Sequence, residues 1–318
     1  MYIINVRNQF YKINFSSIGA MKRGHQDFNL LILTLLSSCS LILSKDTSVT
    51  LVFVGDIAPD GVIFYQDKHA YCSYNQTFEL VAPHLQQSDL TIGNLEAPFV
   101  TEDMEKYESK EYYPRLRSKP ESAYSLKYAG FNILGLNNNH LTDFKEKPIK
   151  FTVNLLNKIG IKTFGYTSGT IKENRPQIPL IVNVRGIKIG FLGYCDIFKV
   201  KNLETFHYTC IIRQGNGTLG PAIYTDENAS RDVTALKKNV DIVVVSMHWG
   251  KEYYTNLTET QLHHYVHLKN LGVHLIIGSH PHVLQGHTAT KSFLTAFSLG
   301  NFLFEPHGSY QGVSIAIF

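Results

Sequence analysis

The sequence predicts an α/β protein whose sheet is covered on both faces. Three observations carry this. Short runs rich in Val, Ile and Leu alternate with stretches whose apolar residues recur at helical spacing. The runs are nearly continuous rather than alternating, as at residues 49–54 and 275–277, which suits strands buried on both sides. Each run then ends in a small polar cluster, so successive strands open into loops of similar chemistry.

In order, the β-branched strand 49–54 stops at Gly55-Asp56. Phe78, Leu80, Val81 and Leu85 have helical spacing and lead to a strand at 89–92, which ends in Gly93-Asn94-Leu95-Glu96. Residues 101–119 are charged and rich in Tyr, and read as a surface excursion beside the strand ends. A helix over 120–129 precedes the strand 132–136 and the cluster Asn137-Asn138-Asn139-His140. The next helix, marked by Phe151, Val153, Leu155 and Leu156, stops at Gly160. Strands at 178–184 and 188–192 flank Arg185-Gly186, a hairpin signal. Residues 199–232, where Gly215, Gly217 and Gly220 crowd together, lose all periodicity and read as an insertion loop. The strand 241–246 runs into Met247-His248-Trp249-Gly250, and a helix over 259–271 leads to the strand 273–277 and Gly278-Ser279-His280-Pro281-His282. The last strand, 294–299, ends in Gly300-Asn301-Phe302, with Asn301 read as a turn residue. No repeat or linker divides residues 46–318, which are expected to form one domain.

Composition narrows the partners. The formal net charge is +4 over 318 residues, with no dense Lys/Arg stripe, so nucleic acid is not expected. Residues 1–45 read as a leader. Lys22 and Arg23 precede the apolar runs 30–36 and 41–43, with small residues between, which is the pattern of a secretory signal peptide starting at Met21. The apolar stretch is too short for the roughly twenty residues that span a bilayer. Leu36-Ser37-Ser38-Cys39 also resembles a bacterial lipoprotein box, so a lipid anchor at Cys39 stays open beside ordinary secretion. Beyond the leader lie Cys72, Cys195 and Cys210. An oxidising compartment permits one disulfide among them, and spacing does not choose the pair.

The chemistry lies at the strand ends. Asp56, Asn94, Glu96, Asn139, His140, His248, His280 and His282 each follow an apolar run. In open α/β sheets ligands sit outside the carboxyl ends of the strands. Carboxylate, amide oxygen and imidazole together suit Zn, Mn or Fe better than Ca or Mg. An extended backbone would point His280 and His282 the same way, toward one ion or a pair. Alone, each residue has a plain explanation: Asp56 caps a helix, Asn137-Asn138-Asn139 is a turn, His248 is a core histidine, Glu96 is solvated. Repetition at six strand ends outweighs these. His263, His264 and His267 sit among polar residues on the helix 259–271 and read as surface.

Gly55-Asp56, Gly93-Asn94-Leu95-Glu96, Asn138-Asn139-His140 with Asp143, His248-Trp249-Gly250, Gly278-Ser279-His280-Pro281-His282-Val283 and Ser298-Leu299-Gly300-Asn301-Phe302 occur in this order. This series resembles the capsule-synthesis CapA family, the poly-γ-glutamate capsule group within the calcineurin-like metallophosphoesterases. The resemblance runs from about residue 49 to the end of the chain. It implies a four-layer metallophosphatase-like sandwich, two mostly buried sheets flanked by helices, with a metal centre at the strand ends. Position by position, it makes Asp56, Asn139, His248, His280 and His282 metal ligands, puts Asn94 and Glu96 where the superfamily has its bridging Asp, and gives His140 the role of acid. It departs from the superfamily at Asp56, where Ile57 and Ala58 follow instead of an Asp-x-His pattern, and at Asn94, which stands where a bridging Asp is expected. One ion is therefore better supplied with ligands than two.

A bound cation makes its water acidic and neutralises phosphoryl oxygens. His140, oriented by Asp143, would protonate the leaving oxygen. Arg115 and Arg117 in the excursion are candidates to hold an anionic substrate. Two functions follow: a secreted or surface metal-dependent phosphoesterase-like hydrolase, or a non-catalytic protein that binds or exports an anionic polymer such as poly-γ-glutamate. The leader reading is checked by N-terminal sequencing of exported protein. The expected first residue lies between Ser38 and Asp46, and a cytosolic product starting at Met1 would refute it.

Overall fold

The computed structural model describes residues 2–7, 10–13, 48–59, 73–105, 116–168, 176–197, 210 and 219–304. Two sheets organise them. The first contains β1 (Tyr2–Arg7), β2 (Phe10–Ile13), β3 (Ser48–Ile57), β4 (Leu90–Leu95), β5 (Ile133–Gly135) and β6 (Lys162–Phe164), in the order β2-β1-β3-β4-β5-β6. From β3 to β6 all pairs are parallel. A short ribbon joins β7 (Tyr166–Ser168) to β10 (Leu219–Pro221). The second sheet uses β8 (Leu180–Val184), β9 (Ile187–Cys195), β11 (Ile242–His248), β12 (Leu275–Ser279), β13 (His287–Ala289) and β14 (Leu294–Ala296), in the order β13-β14-β12-β11-β9-β8. Its four central strands are parallel and its two edges antiparallel. Finally β15 (Asn301–Leu303) crosses back and pairs with the end of β3.

The helices are α1 (Tyr74–Phe78), α2 (Ala82–Leu85), α3 (Glu102–Glu105), α4 (Ser122–Ala129), α5 (Glu146–Lys158), α6 (Asp226–Lys237) and α7 (Glu259–Asn270). Alternation along β3 shows the layering. Leu51 and Phe53 face the second sheet, where Phe191, Val244, Ile277 and Ala296 join them in one core. Val52 and Val54 face outward onto Leu126 of α4 and Ile149 and Leu156 of α5. Beyond the second sheet, Val243, Val245 and Ile276 pack on Ala229, Val233 and Leu236 of α6 and Leu268 of α7. The result is a sandwich of four layers, helix–sheet–sheet–helix. Because both faces of both sheets are covered, the central strands have no solvent side, which is why they read as unbroken apolar runs.

Local chemistry explains most boundaries. Between β8 and β9 the turn residues Arg185 and Gly186 have φ of 53° and 88°, the positive pair that a two-residue hairpin needs to match strand twist. Helix α4 ends where Gly130 takes φ 102°. Helix α7 begins with a reciprocal cap between Thr258 and Gln261.

Several expectations change. The stretch 199–232 is not all irregular: α6 occupies Asp226–Lys237. The signal was present, since Thr225 caps Asn228 N–H, Asp226 and Glu227 fill the first turn, and Ala229, Val233 and Leu236 are spaced for one face. Crowded glycines upstream hid it. Asn301 is not in a turn but in β15, opposite Asp56. Residues ahead of the expected mature start do not lie clear of the domain; the backbone of β1 pairs along β3 from Ser48 to Phe53. On that edge β15 meets only Asp56 and Ile57, and β1 takes up the N–H and C=O groups of the rest, which would otherwise be a template for any β-prone segment. Of the surface excursion, 106–115 lies outside the described residues, as does Cys72.

The crossing of β15 over β3 demands a glycine. A Cβ on Gly55 would run into the carbonyl oxygen of Gly300, which accepts a hydrogen bond from Asp56 N–H at 3.0 Å. Overpacking of this kind costs about 1–3 kcal/mol and occasionally more. Gly55→Ala is expected to lose at least that much in urea unfolding and to displace Asp56, and wild-type stability would show that the close approach is not required.

Candidate metal centre

Parallel pairing brings the polar clusters together. Asp56 pairs with Asn94 and with Asn301 across the first sheet, and His248 pairs with Ser279 in the second. Both sheets turn their strand ends to the same edge, where Asp56, Asn94, Glu96, Asn139, His140, His248, His280 and His282 are all buried. Asp56, Glu96 and His248 are fully enclosed.

Three sets of ligand atoms lie within 4.8 Å of one another: Glu96, His248 and His280; Asp56, Glu96 and His282; and Glu252, His280 and His282. Glu96 belongs to two of them. Its Oε1 has no hydrogen-bond donor, yet His248 Nε2 stands 3.7 Å away and His282 Nε2 3.9 Å away. Those separations are too long for hydrogen bonds and near the roughly 3.4 Å between two ligands of one tetrahedral ion. His280 Nδ1 is likewise buried without a partner. A buried carboxylate oxygen and a buried imidazole nitrogen, both unpartnered, fit a divalent cation. The position of Glu96 between two imidazole sets leaves room for a second ion that the Asn94 substitution argues against in the sequence. Glu252 was not legible there, because it lies four residues beyond His248 in a loop without an apolar run to mark it.

Other side chains fix these donors. Asn94 Nδ2 donates to Asp56 Oδ1 at 2.8 Å and approaches Glu96 Oε2 at 3.5 Å, while Asn138 Nδ2 donates to Asn94 Oδ1 at 3.1 Å. As oriented, Asn94 ties the two carboxylates together. His248 Nδ1 lies 2.9 Å from Ser279 Oγ, and its Nε2 is 2.6 Å from Asn139 Oδ1. His282 Nδ1 lies 2.7 Å from Asn301 Oδ1, which holds the ring so that Nε2 faces Glu96; partners of this kind set the tautomer of a ligating histidine. At the rim, His140 Nδ1 is 2.8 Å from Asp143 Oδ2, which also accepts from Leu116 N–H at 2.8 Å. That bond carries half-buried Arg117 to the His140 side of the centre; Arg115 lies outside the described residues.

His280 and His282 do not sit on an extended backbone. Their φ values are 93° and 58°, left-handed geometry that costs a non-glycine residue about 1–3 kcal/mol. Strand β12 stops at Ser279, and the two histidines form a tight turn with ring centroids 6.0 Å apart. The turn lets His280 N–H reach Asp56 Oδ2 at 3.2 Å. At the end of β9, opposite His248, Cys195 forms the disulfide with Cys210.

The model of the bacterial capsule synthesis protein PGA_cap family matches residues 50–306. The chain belongs to this family. Among its relatives, Capsule biosynthesis protein CapA of Bacillus anthracis is 31% identical over 263 residues, covering 82% of this chain and 61% of the relative. PGA biosynthesis protein CapA of Bacillus subtilis (strain 168) is 28% identical, covering 82% and 64%. The chain thus spans under two thirds of either relative. Crystal structures of a hypothetical protein from Thermus thermophilus (TM-score 0.45, 16% identity, 79% of this chain and 75% of that one) and of a putative 5'-nucleotidase from Staphylococcus aureus (TM-score 0.41, 16% identity, 70% and 42%) resemble it more remotely, too distantly to argue from.

Burial sets the protonation. It pushes the Glu96 carboxyl well above its ordinary 4.5, with the nearby Asp56 and Glu252 charges adding to the effect, and it raises Asp56 above its ordinary 3.8. Burial, then neighbouring histidines, hold His248 and His280 well below 6.5. With a chelator present, Glu96 and Asp56 bind protons more tightly folded than unfolded. Their contribution to stability declines as pH rises from about their ordinary values through the raised ones. His248 and His280 act in the opposite sense, and stability falls as pH drops below 6.5. Cation binding needs the carboxylate form, so the protons expelled when a divalent ion is titrated into chelator-treated protein should increase as the pH is lowered. Calorimetry in two buffers of different ionisation enthalpy measures this, and release that does not change with pH would contradict the raised carboxyls.

Proposed function

We propose that this family member is a metal-dependent phosphoesterase-like hydrolase that works outside the cytoplasm. The observation that carries the reading is the His140–Asp143 pair, 2.8 Å apart, at the rim of a buried carboxylate–imidazole cluster with an unpartnered Glu96 oxygen. Asp56, Glu96, Asn139, His248, His280 and His282 would hold a divalent transition ion, Zn, Mn or Fe, which supplies an activated water and offsets phosphoryl charge. Glu252 is the further donor for a second ion.

The remaining roles belong to the protein. Asn94 keeps Asp56 and Glu96 in one plane of approach through its amide. Asp143 accepts from His140 Nδ1–H and would steady the imidazolium form, whose second proton sits on Nε2. As the phosphorus–oxygen bond to the leaving group breaks, that proton would pass to the departing oxygen. Arg117, and Arg115 in the same segment, suit the negative charge of a substrate. The Cys195–Cys210 disulfide supports an oxidising compartment, in keeping with the secretory leader, or with a lipid anchor at Cys39.

A second reading has its own support. The relatives are named for capsule and PGA biosynthesis, and assembling a polymer does not require hydrolysis. The same cleft would then bind or export an anionic polymer such as poly-γ-glutamate, with the ion as part of the binding surface.

Two variants separate the readings. His280→Ala should lower metal content and abolish any ion-dependent activity. His140→Ala should keep metal content near wild type and slow turnover about 10²–10⁴-fold, measured with generic phosphomonoester and phosphodiester substrates. Wild-type protein that is metal-loaded but cleaves no phosphoester or γ-glutamyl bond, and whose polymer binding is unchanged in His140→Ala, would overturn the hydrolase in favour of the binder.

A further inference from the structure

The helix α7 histidines do not all face solvent. His263 is exposed, but His264 is only 8% exposed and His267 is half-buried. They meet the start of α6. His263 Nε2 lies 2.9 Å from Asp226 Oδ2, and Tyr224 OH donates to the other oxygen, Oδ1, at 3.1 Å. The His264 ring lies against the Tyr224 ring, with centroids 3.9 Å apart. Its Nε2 is 3.0 Å from Asp196 Oδ2. Its Nδ1 is buried with no hydrogen-bond partner. His267 Nε2 completes the wall, 3.1 Å from Ser230 Oγ and 3.2 Å from the Asp226 carbonyl oxygen.

A purely structural account explains part of this. Asp226 is a first-turn acid on α6, favourable at a helix N-terminus, and its pairing with exposed His263 is an ordinary surface ion pair. It does not explain His264 Nδ1. A nitrogen left buried and unpaired is a cost that a surface pair does not offset. One ligand atom each from Asp226, His263 and His264 lies within 4.8 Å of the others.

We propose that Asp226, His263 and His264 form a second divalent-metal site, distinct from the strand-end centre and sharing no residue with it, suited to zinc. Two imidazoles and a carboxylate are a common tetrahedral zinc set, with the fourth position left to water. Asp196 accepts from His264 Nε2–H, which fixes the tautomer and leaves the Nδ1 lone pair to coordinate, the usual arrangement behind a ligating histidine. Exposed His263 and half-buried Asp226 give the ion a route from solvent. Bound there, zinc would clamp the start of α6 to α7. Asp196 N–H donates to the His248 carbonyl oxygen at 2.9 Å, so the clamp would also brace the strand that carries His248.

The test uses the full chain and zinc alone. Crystals soaked in zinc and measured at the zinc absorption edge should show an anomalous peak among Asp226 Oδ2, His263 Nε2 and His264 Nδ1, within about 2.0–2.2 Å of each. His263→Ala, a change at an exposed side chain that leaves the fold intact, should weaken zinc at this position about 10–100-fold, at least as much as loss of an outer partner does. The strand-end peak should be unchanged. No peak at this position in saturating zinc, or a peak whose occupancy survives both His263→Ala and Asp226→Asn, overturns the proposal. Because the two positions are read separately in the same crystal, failure here leaves the strand-end centre standing, and the reverse also holds.

Discussion

The packing of two mostly parallel sheets face to face is the constraint on which the rest of this molecule depends. The central strands have no solvent side, since Leu51 and Phe53 are taken up by the inner core while Val52 and Val54 are taken up by α4 and α5. A strand buried on both faces has nowhere to place a polar side chain except at its end. Parallel pairing then puts those ends along one edge, and stacking the sheets brings the two edges together. The polar cluster is therefore a geometric consequence of the core.

What sits at that edge is electrostatically costly. Two carboxylates and three imidazoles are buried almost completely, and the displaced pKa values of Asp56, Glu96, His248 and His280 record how strongly burial resists charge there. Neutralising a carboxyl by protonation relieves that cost only in part, because Glu96 Oε1 and His280 Nδ1 still lack partners. The left-handed φ of His280 and His282 adds backbone strain in the same few residues. Strain, unpaired polar atoms and displaced pKa values gathered in one place are what a site prepared for a cation shows. Asn94 is the local remedy: where a third carboxylate would add repulsion, an amide donates to Asp56 and approaches Glu96.

The outer layer of the second sheet follows a different logic. There α6 and α7 are held by apolar residues below, Val233 and Leu268 among them, and by a polar seam above, where Asp226, His263, His264 and His267 meet. The seam is reached from solvent at His263 and closed at His264.

How much was legible in the sequence depended on whether a residue's role is local. Central strands announced themselves because burial on both faces writes an unbroken apolar run, and the Arg185-Gly186 hairpin because positive φ demands particular residues. The strand-end residues Asp56, Glu96, Asn139, His140, His248, His280 and His282 were legible as a set because each abuts such a run. Residues whose meaning is a distant contact were not. Glu252 joins His280 and His282 only through the fold, Asn301 is a strand residue only because β15 returns to Asp56, and His264 looks like any polar helix position until α6 covers it. Sequence alone determined the central strands and the polar chemistry at their ends, since propensity and burial act over a few neighbouring residues. Tertiary structure alone decided which donors lie within reach of one another, which amide faces which carboxylate, and which helical histidine is dry, because those depend on contacts between residues far apart in the chain, Asp56 and His282 among them.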